Sequence, residues 1–101
     1  MTTRVIRGYD DLVEAFRRRV EELAISREVL DELAGLPRGY SGKILGLGQV
    51  RRIGVKSLTR LCAGTGSMLL LIEDPEAIEK LRGRLVPRIE SAVRHRNGGT
   101  R

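Results

Sequence analysis

Ser26-Arg27-Glu28-Val29-Leu30-Asp31-Glu32-Leu33-Ala34-Gly35-Leu36-Pro37-Arg38-Gly39-Tyr40-Ser41-Gly42-Lys43-Ile44 reads as two helical patterns separated by a glycine. Ser26 is a good N-cap, because its hydroxyl oxygen can accept from a free N–H of the first turn. Val29, Leu30, Leu33 and Ala34 then fall on one side of a helix. Gly35 follows the last apolar pair, where a helix stops by turning left-handed. Leu36 supplies an apolar contact, and Pro37 suits a helix start, where its missing N–H costs nothing. A following helix over 37–45 would bury Ile44 with part of Tyr40 and leave Arg38, Gly39 and Lys43 outward.

Working outward, Tyr9, Leu12, Val13, Phe16, Val20 and Leu23 recur at three- and four-residue steps and predict a helix over 10–24. Glu14 with Arg18, Arg17 with Glu21, and Arg18 with Glu22 are (i, i+4) neighbours, so Arg17-Arg18-Arg19 reads as a solvated, salt-paired face. Three glycines make 46–54 a loop, and Val55, Leu58, Leu61 and Cys62 restore helical spacing over 55–63. Gly64-Thr65-Gly66 is expected to end that helix. Met68-Leu69-Leu70-Leu71-Ile72 is apolar throughout; a short buried strand is the expectation, with a helical turn as the alternative. Asp74-Pro75-Glu76 starts another helix. Its stripe, Ile78, Leu81, Leu85, Ile89 and Val93, is interrupted by Gly83 and Pro87, which predicts a broken or kinked pair. Residues 96–101 read as a flexible tail.

The chain has 101 residues, 41% hydrophobic and 32% charged, the composition of an ordinary soluble globule. One cysteine and one histidine cannot make a zinc site or a disulfide framework. Cys62 therefore reads as a buried thiol in a reducing compartment, and the absence of a signal-peptide core at the N-terminus makes the cytoplasm the expected location. Net charge is +6, and its placement matters more than its size. Residues 33–72 hold no Asp or Glu but carry Arg38, Lys43, Arg51, Arg52, Lys56 and Arg60. Residues 1–32 sum to −2 and 73–101 to +2, so the ends cancel and the surplus lies in the middle.

The segment from Ser26 to Ile44 resembles the helix-turn-helix of the Cro/lambda-repressor (XRE-type) DNA-binding family. It is also similar to short uncharacterised bacterial proteins that share an ELxxSRxxLDELAGLPxGYxGKxLG stretch. In that likeness Leu30 takes the place of the leucine of the family's second helix, Gly35 and Leu36 of its turn glycine and turn hydrophobe, and Ile44 of the residue that seats the third helix. Two positions depart from the pattern. Asp31 stands where the family has a small alanine and Ser41 where it has a branched apolar residue, which is expected to weaken the packing of the two helices.

The resemblance implies a mainly α, lambda-repressor-like bundle of four to five short helices over 10–66, and the apolar residues of 67–95 then form a C-terminal extension that either offers a dimer surface or packs within the same chain. It implies a double-stranded DNA-binding protein, a transcriptional regulator of bacterial or phage type acting as a homodimer. Arg38, Gly39 and Lys43 would meet base edges, while Ser26, Arg27, Tyr40, Arg51, Arg52 and Lys56 would hold phosphates. The alternative is a protein-interaction module, antitoxin-like or a phage accessory protein, that uses the same fold without specific DNA binding. No enzyme, cofactor, metal or membrane signal is read: Gly42-Lys43-Ile44 lacks the rest of a phosphate-binding loop, Gly46-Leu47-Gly48 lacks a third glycine, and His95 lies near the tail.

Overall fold

A computed structural model describes residues 2–85. Among them are five α-helices, a 3-10 turn and no strand: α1 (Tyr9–Leu23), α2 (Arg27–Ala34), α3 (Tyr40–Leu45), α4 (Val55–Thr65), α5 (Pro75–Leu81) and the turn Arg82–Arg84. The chain divides after Leu69 into two compact units.

In the first unit the core is built by Val13, Phe16 and Val20 of α1, Leu30 and Ala34 of α2, Leu36 of the turn, Ile44 and Leu45 of α3, and Leu61 of α4. Burying each large aliphatic side chain contributes about 1.5–3 kcal/mol against the entropy of ordering the chain. The buried positions of α1 follow its 3.6-residue period, as the spacing predicts. On α2 the buried set is Leu30, Asp31 and Ala34, while Val29 and Leu33 face outward, so the inward stripe is rotated from the expected one. Ser26 does cap α2: its Oγ accepts from the Val29 N–H at 3.1 Å, and Gly35 ends the helix at φ 69°.

α2 and α4 approach each other closely at Gly64. A Cβ added at Gly64 would stand 2.7 Å from the Ala34 Cβ and 2.8 Å from its Cα. Gly64 is therefore a packing contact in the last turn of α4 rather than its stop. The helix continues through Thr65, and Gly66 closes it at φ 61°. Leu61 packs inward as expected, Leu58 and Cys62 are half-buried, and Val55 is 82% exposed, so the inward stripe begins later than the apolar pattern suggests.

Three helix C-termini are held by arginines from other helices. Arg60 of α4 donates to the Gly35 carbonyl at the end of α2 (2.8 Å), and Arg17 of α1 donates to Leu45 and Gly46 at the end of α3 (2.5 and 3.0 Å). Arg19 of α1 donates to Thr65 at the end of α4 (2.9 Å). A cation there meets unpaired carbonyls and the negative end of the helix dipole. The Arg17-Arg18-Arg19 run is thus only partly a solvated face. Arg18 pairs with Glu14 as the spacing predicts, but Arg17 pairs with Glu14 rather than Glu21, and Glu22 is held by Arg19 and Arg4 rather than by Arg18.

Residues 68–72 form neither the expected strand nor a helical turn. All five are exposed, Leu71 completely. In the second unit Asp74 caps α5 by accepting from the Glu76 and Ala77 N–H groups, with Pro75 at the first helical position, as read from the sequence. The helix ends at Leu81 and passes into the 3-10 turn that contains Gly83. The readings that involve Pro87, Ile89, Val93, His95 and the tail lie outside the described residues.

Candidate nucleic-acid interface

The turn between α2 and α3 decides where Arg38 and Gly39 stand. The Tyr40 N–H donates to the Pro37 carbonyl at 3.0 Å and Gly39 has φ 82° and ψ −3°, the geometry of the third position of a type II turn. Glycine takes that conformation without a Cβ penalty. The helix therefore begins at Tyr40 and not at Pro37, and Arg38 and Gly39 lie in the turn that leads into it. Arg38 is exposed.

Asp31 and Ser41, the two departures from the family pattern, are joined to each other. Both are buried, and the Asp31 carboxylate accepts from the Gly39 N–H and the Ser41 N–H, each at 2.8 Å. It caps α3 from a neighbouring helix. The Ser41 Oγ donates to the Arg27 carbonyl at 3.1 Å, and the Arg27 guanidinium donates to the Ser41 carbonyl at 3.3 Å. The expected weakening of the α2–α3 contact is thus offset by a buried polar clamp in place of apolar packing.

Most cations of the first unit sort into two groups. Arg4, Arg17, Arg18, Arg19, Arg27 and Arg60 are held by carboxylates or carbonyls. Arg52 lies over the Tyr9 ring at 3.8 Å, and the Tyr9 hydroxyl accepts from the Ile53 N–H at 2.7 Å, which ties the end of the 46–54 loop to α1. Arg38, Lys43, Arg51 and Lys56 are exposed and make no ion pair with a described residue. The Arg51 N–H donates to the Lys43 carbonyl at 3.1 Å, so the loop returns to α3 and brings those two cations to adjacent backbone. All eight acids of the first unit lie on α1 and α2. The turn, α3, the loop and α4 carry none.

Of the residues read as site candidates, Arg38, Gly39, Lys43 and Arg51 surround α3, and Lys56 opens α4. Ser26 serves as a helix cap, Arg27 belongs to the clamp, Arg52 is stacked, and Tyr40 is half-buried against the core. Sequence reasoning passed over Leu47 and Val50, which are 92% and 74% exposed on the loop. Apolar residues set among glycines, outside any helical or strand period, were the available signal.

The titratable groups offer little chemistry. Burial pushes the Cys62 thiol up, which keeps it protonated and unreactive. Hydrogen bonding by Arg4 holds the Glu22 carboxyl below its usual range. Among the described residues no cluster of His, Cys, Asp and Glu could hold a metal ion, and no helix is long and apolar enough to cross a membrane. Comparison with protein-family models, curated proteins and solved structures finds no match.

Proposed function

We propose that this chain binds double-stranded DNA through α3, the Pro37–Tyr40 turn and the loop that follows, in the manner of a helix-turn-helix regulator of bacterial or phage type. The observation that carries this reading is the separation of committed from uncommitted cations. Among the described residues of the first unit most arginines are held by carboxylates, carbonyls or an aromatic ring, whereas the exposed cations that make no ion pair, Arg38, Lys43, Arg51 and Lys56, gather around α3 and the start of α4, where no acid offsets them. Arg38 from the turn and Lys43 from α3 meet base edges, with Gly39 permitting close approach. Arg51 and Lys56 hold phosphates.

Fluorescence anisotropy with mixed-sequence duplex DNA over a salt series tests it. Two phosphate neutralisations per chain, by Arg51 and Lys56, would give a log–log salt slope of about −2. An Arg38→Ala, Lys43→Ala variant is expected to fold normally and lose affinity and selectivity. Absence of binding at ~50 mM salt overturns the reading.

A homodimer belongs to the same proposal, since two half-sites give a short chain useful affinity. The exposed run 68–72 also favours a second reading, a protein-interaction module whose partner covers that segment. Sedimentation of the protein with and without DNA separates the two. A dimer weakened by Leu70→Ser and Leu71→Ser supports the first, and a monomer that ignores duplex DNA supports the second.

A further inference from the structure

Among the described residues two non-glycine positions adopt positive φ: Ala24, which closes α1, and Gln49 at φ 43°. Gln49 closes no helix. Its N–H donates to the Gly46 carbonyl at 3.0 Å, making a tight turn at the tip of the loop that the Lys43–Arg51 backbone bond seals. Glycines stand at 46 and 48, yet the left-handed position is given to a glutamine, a conformation in which any Cβ is disfavoured. Its amide makes no hydrogen bond to the described residues, and Leu47 and Val50 beside it are exposed. A strained, unpaired amide flanked by two exposed aliphatic side chains and by free cations at both ends of its loop is built for a partner rather than for the fold.

Resting on the DNA reading above, we propose that the 47–50 loop is a second base-reading element, specific for an A·T pair in the major groove. A glutamine amide offers one donor and one acceptor, which match the N7 acceptor and N6 donor of adenine in a bidentate pair. The C5 methyl of the paired thymine is the apolar feature that Leu47 or Val50 would cover. Arg51, where the loop returns, is placed to grip a phosphate beside that base pair, and its backbone bond to Lys43 keeps the loop next to the base contact of α3. An anionic membrane surface also carries charge beside apolar material. Only a few short aliphatic groups and no aromatic ring project from this loop, which is too little for stable interfacial anchoring.

The test uses the full chain, a duplex pool with a randomised core, and selection of bound sequences followed by sequencing. Gln49→Gly relieves the backbone conformation while removing the amide, so strain and function move in opposite directions. The variant is expected to melt at the same temperature as the parent or higher, to keep the rest of the selected sequence, and to lose preference for adenine at one position by about 5- to 150-fold, the equivalent of ~1–3 kcal/mol for one bidentate pair. A Leu47→Ser, Val50→Ser variant is expected to lose preference for the thymine methyl, read by substituting uracil for thymine. If Gln49→Gly selects the same sequence as the parent, the loop does not read bases, although DNA binding itself would stand. If the parent ignores the pool and binds phosphatidylglycerol vesicles, the loop proposal and the DNA reading both fall.

Discussion

The buried carboxylate of Asp31 accepts from the backbone N–H of buried Ser41 at 2.8 Å, so the second helix caps the third. Asp31→Ala leaves the Ser41 and Gly39 donors without that acceptor, and an unpaired buried donor costs about 1–3 kcal/mol. Urea denaturation is expected to show that loss. Asp31→Asn should fall between the two, because one of its two heads is now a donor facing a donor. Equal stability of the alanine variant and the parent would remove the clamp from the account of α3.

Gly64 against Ala34 makes the opposite kind of demand, for empty space. Replacing a helical glycine by alanine gains up to about 1 kcal/mol in propensity, but here, in the last turn of α4, the new methyl would stand 2.7 Å from the Ala34 Cβ and 2.9 Å from its backbone nitrogen. Overpacking of that sort costs about 1–3 kcal/mol, so Gly64→Ala should lower the denaturation midpoint. Ala34→Gly should not restore it fully, because the Cα and nitrogen of residue 34 remain in the way.

Arg17 and Arg38 have different jobs, and thermal melts with DNA titrations can tell them apart. Arg17→Ala removes the guanidinium from the end of α3 and is expected to cost about 1–2 kcal/mol of stability, with DNA affinity falling only as the folded fraction falls. Arg38→Ala touches nothing that holds the fold. It should melt like the parent and bind DNA about tenfold more weakly, within the range of a single base contact.

Glu22 supplies a pH signature. Hydrogen bonding by Arg4, and less so by Arg19, lowers its folded-state pKa below the ordinary 4.5, against a smaller opposing effect of desolvation. A depressed folded pKa means that the unfolded chain takes up the proton first, so the stabilisation is fully present above the unfolded value and is lost as pH falls through the folded one. The difference in melting temperature between the parent and Glu22→Gln should be constant at neutral pH and vanish in acid below the carboxylate range. Persistence of that difference at low pH would assign it to something other than the Arg4 contact.

Much of this organisation can be read from residue order because it is local. The helix caps Ser26 and Asp74, the stop at Gly35 and the stripe of α1 each follow from near neighbours in the chain. What escapes is tertiary. Pro37 suggested a helix start, but Gly39 in a left-handed turn, held by Asp31, delays the helix to Tyr40. The apolar run 68–72 has a strand's composition and finds no ladder to join among the described residues. The acid-free span was visible in the composition, whereas the division of its cations was not. Arg60 reaches a carbonyl 25 residues away and Arg52 an aromatic ring on α1, and neither partner is implied by spacing.

The arginines at the helix ends bear on how this small unit comes apart. A helix in a bundle usually frays from its free terminus, opening a few backbone bonds at little cost. Here the last carbonyls of α2, α3 and α4 are each gripped from a different helix, so fraying one end requires letting go of another element. Hydrogen exchange should find the amides of those final turns protected to nearly the same degree as the middle of the helices, and the unit should unfold in one cooperative step.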